Sequence, residues 1–281
     1  MKKVISASRR TDLVAFFTGW LVSVLQKKRA RVFGPSGKIY EVDLDPNNVH
    51  TLVLWSKNFS SLLENKEGLL DAVRKYASIY LHFTITGEGG SRIEPGVPPP
   101  EFAISQLDPL IKLAGCPEKI SVRFDPILFW DEDNVRKTNL YFFERLSGEL
   151  SSRGLKKVQF SFAQWYRKAK IRAEKRRFVF HDPPLEEKLE HTRYLSEIAA
   201  QKNIQLYVCS QDIFSRTPGV KPSACIDGHL LEKLHPAKEP VSTKKDKSQR
   251  KECRCTESVD IGSYKQNCPH ACVYCYASGA T

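Results

Sequence analysis

The densest chemistry in this chain lies at Cys268-Pro269-His270-Ala271-Cys272-Val273-Tyr274-Cys275, where three cysteines follow a C-x3-C-x2-C spacing. Three thiols so close together are hard to reconcile with a packing role. Thiolates are the ligands of soft metals and of iron–sulfur centres, and short spacing lets one loop wrap a metal group. Three ligands on a four-iron cluster leave one iron open. An open iron suits a Lewis-acid or substrate-binding role, by the logic of catalytic zinc sites. Cys268, Cys272 and Cys275 are therefore the expected metal ligands. A zinc site or an electron-transfer cluster is compatible with the same spacing.

Of the eight cysteines, four more fall into a second candidate set: Cys209, Cys225, Cys253 and Cys255. Four thiolates suit an auxiliary 4Fe–4S cluster or a structural zinc, and would pin the tail to the rest of the fold. The bland alternative is two buried thiols plus an incidental C-x-C pair. Cys116, in Gly115-Cys116-Pro117, is expected to be structural.

The elements that must position these groups alternate. Strands are expected at Val4–Ser8, His50–Trp55, Ile79–Thr86, Ile120–Phe124, Val158–Phe162 and Ile204–Cys209, with helical patterns between them. A hairpin is expected at Arg31–Tyr40, centred on Gly34-Pro35-Ser36-Gly37. Six strand–helix units in series imply parallel strands joined by crossover helices, and an α/β fold of partial (β/α)6 barrel type over residues 1–235. An open doubly wound sheet is the other arrangement, but no G-x-G-x-x-G follows the first strand. Residues 236–252 read as a polar, basic linker. Residues 253–281 read as a cysteine-rich iron–sulfur segment docked on the barrel mouth, too short to form a core alone.

In such barrels, chemistry gathers at the strand C-termini. The charged groups expected there are Arg9, Arg10 and Asp12, then Lys57, Glu88, Arg123 and Asp125, with Asn58, Gln164, Gln211 and Asp212 as polar company. Arg9, Asp12, Lys57, Glu88, Arg123 and Asp125 are the catalytic candidates. Each has a plainer reading as a salt bridge or helix cap.

The cysteine triplet with Tyr274 resembles the radical SAM signature, C-x3-C-x-aromatic-C. The chain also resembles, along nearly its whole length, a bacterial and archaeal family of unknown function with a C-terminal radical-SAM-like cysteine cluster. That likeness rests on Val4–Asp12, Trp55-Ser56-Lys57-Asn58, Phe83–Gly87, Arg123–Ile127, Cys225-Ile226-Asp227-Gly228 and Asp260–Ala277. The resemblance implies a radical SAM type of barrel, with a 4Fe–4S cluster on Cys268, Cys272 and Cys275 and S-adenosylmethionine on its open iron. It places Tyr274 near the adenine, and it sets Gly87, Glu88 and Gly89 near the methionine amino group. It also implies a low-potential electron donor, flavodoxin or ferredoxin. The motif closes this chain, whereas in the superfamily it usually follows the first strand.

The formal net charge is +12, which favours nucleic acid or another anionic partner. The run from Arg167 to Arg177 holds seven positive residues against Glu174 and follows Trp165-Tyr166, a pattern that can track phosphates or simply form a solvated helix face. Ser8-Arg9-Arg10 before Leu13–Leu25 looks like a twin-arginine signal. Asp12, the absent cleavage site and the shortness of the run count against it and against a membrane span, so the cytoplasm is expected. The leading expectation is a radical SAM enzyme of unspecified reaction. The alternative is a zinc- or iron–sulfur-stabilised nucleic-acid-binding or regulatory protein without SAM chemistry.

Overall fold

Apolar side chains at every second position build the main sheet of the computed structural model, which describes residues 1–34 and 37–277. Its strands are β1 (Lys3–Ala7), β2 (Val49–Ser56), β3 (Ile79–Thr84), β4 (Ile120–Ile127), β5 (Lys157–Phe162), β6 (Gln205–Val208), β7 (Val220–Pro222) and β8 (Val259–Asp260). Their spatial order is β7-β6-β5-β4-β3-β2-β1-β8, and every pairing is parallel.

This corrects the expected six-stranded partial barrel. The sheet has eight strands and is open, with β7 and β8 as its edges among the described residues. The two unforeseen strands are only three and two residues long, and each exists because it pairs with a longer neighbour. The doubly wound alternative fails as well, since the strand order never reverses about a central strand.

The two faces of the sheet differ. Ile5, Leu52, Leu54, Leu81, Phe83, Val122, Phe124, Val158 and Phe160 pack into one large apolar cluster. The helices against them are α1 (Leu13–Phe16), α2 (Thr18–Gln26), α3 (Leu107–Ala114), α4 (Phe142–Ser152) and α6 (Leu185–Gln201); α5 (Arg167–Lys175) lies elsewhere. Each buried Leu or Phe of this layer stabilises the fold by about 1.5–3 kcal/mol. The intervening positions are largely polar: Thr51, His82, Ser121, Arg123, Asp125, Gln159 and Ser161. That second face is covered by the C-terminal third. Val4, Val53 and Tyr80 pack with Cys225, Ile226, Val241, Cys253, Cys255 and Leu231 of α7 (Gly228–Leu234).

Most of residues 236–252 are exposed, but Val241 and Asp246 are buried and Lys245 bridges to Thr256, which ties the segment to the fold. The tail joins the main fold. Val259–Asp260 is a strand of the main sheet and Ile261 sits in the main core. Residues 278–281 of the expected segment, and Pro35 and Ser36 at the centre of the expected hairpin, lie outside the described residues. The hairpin arms are Arg29–Phe33 and Ile39–Asp43, paired antiparallel. A small antiparallel sheet of Phe129–Glu132, Val135–Thr138 and Val179–His181 packs beside α5. No helix among the described residues is long and apolar enough to cross a membrane.

Candidate functional site

A cavity of about 310 Å³ opens at the C-terminal ends of the main strands. Its wall includes Ser8 beyond β1, Trp55 and Ser56 of β2, Thr84 of β3, Arg123 and Asp125 of β4, Ser161 of β5, Cys209 beyond β6 and Cys225 beyond β7. Seven cysteines line it: Cys209, Cys225, Cys253, Cys255, Cys268, Cys272 and Cys275. Cys116 does not. The cavity therefore joins both sequence-predicted thiol sets in one chamber.

The loop carrying Cys268, Cys272 and Cys275 is held from three sides. Val273 is fully buried among Ile93, Leu128, Trp130, Ala169 and Ala173, and its N–H donates to the Ile93 carbonyl at 2.9 Å. On the second side, His270 Nδ1 donates to the Gly96 carbonyl (2.8 Å) and Nε2 meets Asp12 Oδ2 (2.8 Å). Asp12 also accepts from Ser56 Oγ and from the amides of Lys57 and Ala15. It caps α1 and anchors the loop at once. Gly96 must be glycine here, because a Cβ would stand 2.5 Å from the Pro269 carbonyl oxygen.

The third side is the basic helix α5. Arg172 donates to the carbonyls of Cys272 (3.2 Å), Val273 (3.2 Å), Cys275 (2.7 Å) and Ala277 (3.0 Å), and Arg176 to that of Ala271 (2.7 Å). Two arginines of the run that could have served phosphates are committed to drawing the loop carbonyls toward the helix. The backbone at Asp12 and His270 acts to lower the Cys268 pKa, and that at Ala277 the Cys275 pKa.

Beside Cys272 lies a buried trio. Lys57 Nζ is 2.8 Å from Glu94 Oε1, which also accepts from the Tyr274 hydroxyl. Glu94 is fully buried and its second oxygen has no partner among the described residues. Burial acts to lower the Lys57 pKa, but the Glu94 carboxylate and the Cys272 sulfur outweigh it, and the ammonium titrates above the usual lysine value. Burial raises the thiols of Cys268, Cys272 and Cys275, with Asp12 and Glu94 adding repulsion at the first two. Any metal bound there must displace thiol protons.

On the opposite wall Arg123 pairs with Asp125, which also accepts from Ser161, and its Nη1 lies 3.1 Å from Cys225 Sγ. Arg123 and Arg9 both stack over Trp55, at 5.2 and 5.8 Å from the ring centroid. Arg9 also donates to Ser258, so it ties β1 to the tail. Arg250 reaches Gln164 (2.8 Å) and Tyr166 (2.7 Å) at the rim, with Tyr276 beside Tyr166.

Of the catalytic candidates, Arg9, Asp12, Lys57, Arg123 and Asp125 line the cavity, with Arg10, Gln164 and Gln211; Tyr274 lines it too. Gly87, Glu88 and Gly89 do not. The glycines serve close approach of the protein to itself: a Cβ at Gly87 would meet the Phe142 ring at 2.6 Å, and one at Gly89 the Pro98 carbonyl oxygen at 1.8 Å. Glu88 is partly buried with its pKa raised chiefly by that burial. Asn58 turns to Ser60 and Gln106, and Asp212 to Arg254. Glu94, His270, Arg172 and Arg176 were not foreseen. Alternation of polar with apolar residues along β4 and β5 would have revealed Ser161; nothing in the Pro-rich stretch marks Glu94.

Among the described residues no three His, Cys, Asp or Glu side chains converge as ligands around a single metal ion. A polynuclear cluster is held differently, each thiolate on its own iron, so it does not need that convergence. Three free thiols of one loop, carbonyls of that loop turned to Arg172 and Arg176, and cations in the cavity wall fit such a group.

Residues 4–277 match a family model described as "Domain of unknown function (DUF1848)". No curated protein matches the chain.

Proposed function

We propose, on the premise that the chain belongs to this DUF1848 family of unknown function, that it is an iron–sulfur enzyme of the radical SAM kind. A 4Fe–4S cluster on Cys268, Cys272 and Cys275, with S-adenosylmethionine at its open iron, would supply one-electron cleavage of the sulfonium and a carbon radical that abstracts hydrogen from substrate. The observation that carries this reading is the placement of all three loop thiols in the wall of a single cationic cavity at the strand C-termini.

The chain's own residues do the rest. Arg172, Arg176, Asp12 and His270 fix the loop, so its sulfurs are presented in a constant arrangement. Lys57, held by Glu94, places a buried positive charge next to Cys272 and favours its thiolate. Arg9 and Arg123 over Trp55, with Asp125, offer charge and a stacking surface to an anionic, aromatic guest. Tyr166, Arg250 and Tyr276 shield the rim from water. The electron comes from a low-potential donor such as flavodoxin or ferredoxin, in a reducing cytoplasm. The substrate is an anionic molecule, nucleic acid included.

The protein, reconstituted anaerobically with iron and sulfide, should form 5′-deoxyadenosine from S-adenosylmethionine on reduction, and Cys272→Ala should not. Wild-type protein carrying its full iron and sulfide, yet forming none, would overturn the proposal. Electron paramagnetic resonance with and without S-adenosylmethionine separates this chemistry from simple electron transfer.

A further inference from the structure

Four sulfurs of the chamber lie outside the loop that the proposed chemistry uses. Cys209 follows β6, Cys225 follows β7, and Cys253 and Cys255 belong to the segment crossing the polar face of the sheet. The Sγ atoms of Cys209 and Cys225 are 3.6 Å apart. Cys225, Cys253 and Cys255 pack in one buried cluster with Cys209 against it, so thiols of three chain segments gather in one place. All four are reduced. Thiols are weak hydrogen-bonding groups, and a cluster of them packs no better than apolar side chains of like size. Two stronger donors also aim at it: Arg123 Nη1 at Cys225 Sγ (3.1 Å) and the Ile226 amide at Cys255 Sγ (3.4 Å). Donors of this kind surround metal-bound thiolates and tune them.

We infer that Cys209, Cys225, Cys253 and Cys255 form a closed, four-thiolate site for one zinc ion. With Zn–S bonds of about 2.3 Å, tetrahedral thiolates stand roughly 3.8 Å apart. The Cys209–Cys225 pair, at 3.6 Å, already spans one such edge. A four-iron cluster would instead spread its thiolates over separate corners, well beyond contact distance. No three ligating groups yet meet at a point among the described residues. Side-chain rotation about Cα–Cβ must bring the four sulfurs together. Zinc then takes the place of thiol protons. It joins the ends of β6 and β7 to residues 253–255, the segment that leads into β8 and the Cys268 loop. Binding energy thereby becomes energy for holding the roof of the chamber.

The test uses full-length protein bearing Cys268→Ser, Cys272→Ser and Cys275→Ser, which leaves the second set and the distant Cys116, purified and dialysed with zinc. About one equivalent of zinc per chain should be retained, with cobalt giving the intense thiolate charge-transfer bands of a tetrahedral site. Adding Cys225→Ser should cut retention at least tenfold. A folded triple variant that keeps no zinc overturns the inference, as does one that takes iron and sulfide in preference when both are offered. If the triple variant aggregates, zinc is measured in Cys225→Ser and Cys116→Ser of the otherwise intact chain. Loss in the first alone supports the site; equal zinc in both overturns it. Zinc retention by the triple variant, with no S-adenosylmethionine cleavage by the cluster-loaded wild type, would count against the proposed chemistry only, and the reverse pair of results against the zinc site only.

Discussion

Arg172→Ala should open the cysteine loop without unfolding the protein. The guanidinium donates to four loop carbonyls, and two of those bonds, to Cys275 and Ala277, are 2.7 and 3.0 Å long. A hydrogen bond to a charged group contributes about 1.5–3 kcal/mol. Counting only the two shorter bonds, and halving for a position partly open to water, gives roughly 1.5–3 kcal/mol for holding the loop closed. Local opening should then become about 10–150-fold more frequent, at about 1.4 kcal/mol per factor of ten. Cys272 is buried, so reagents reach it through such opening. The assay is the rate of thiol alkylation at Cys272, read by peptide mass spectrometry on metal-free protein, beside Lys170→Ala as an exposed control on the same helix. Alkylation in Arg172→Ala as slow as in Lys170→Ala would refute the clamp. Arg172→Lys should fall between the two, because a point charge cannot span several carbonyls.

Three other outcomes are expected. Removing Lys57 or Glu94 alone strands a buried charge, so Lys57→Met and Glu94→Gln should each lower stability by about 3–5 kcal/mol in urea titration, and the double variant by clearly less than their sum; simple additivity would deny the pairing. Asp12→Ala should cost about 3 kcal/mol and loosen the Cys268 loop as well as α1, since that carboxylate serves both; hydrogen exchange at Lys57 and Ala15 unchanged from wild type would contradict it. Burial, then the neighbouring His50, lowers the His235 pKa below 6.5, so the unfolded chain binds the extra proton first. Stability should therefore fall as pH drops below about 6.5 and keep falling until the folded-state pKa is passed, by at most about 1.4 kcal/mol per pH unit. In His235→Gln that slope should shrink, and an identical pH profile would discard the assignment.

Much of the site could be read without coordinates. The C-x3-C-x2-C spacing and the charged residues after successive strands, Arg9, Asp12, Lys57, Arg123 and Asp125, mark one chamber because parallel strands deliver their C-termini to the same side. Glu88 follows the same rule and fails it. Its strand ends at Thr84, and the chain then turns at Gly87 against Phe142, away from the cavity. The basic run shows the same limit: charge is visible in sequence, but its recipient is not, and for Arg172 and Arg176 the recipient is backbone a hundred residues away.

The sequence by itself determined the elements with strong local signals: six parallel strands by apolar alternation, and the thiol loop by spacing. Only the tertiary structure decided that the sheet has eight strands and stays open, because Val220–Pro222 and Val259–Asp260 become strands through partners they pair with, not through their own propensity. It alone decided that residues 236–277 roof the polar face, where Val241 and Ile261 find apolar surface supplied by distant strands. It alone brought Glu94 to Lys57 and Tyr274, an ion pair whose members have no reason to meet until burial makes meeting the cheapest arrangement.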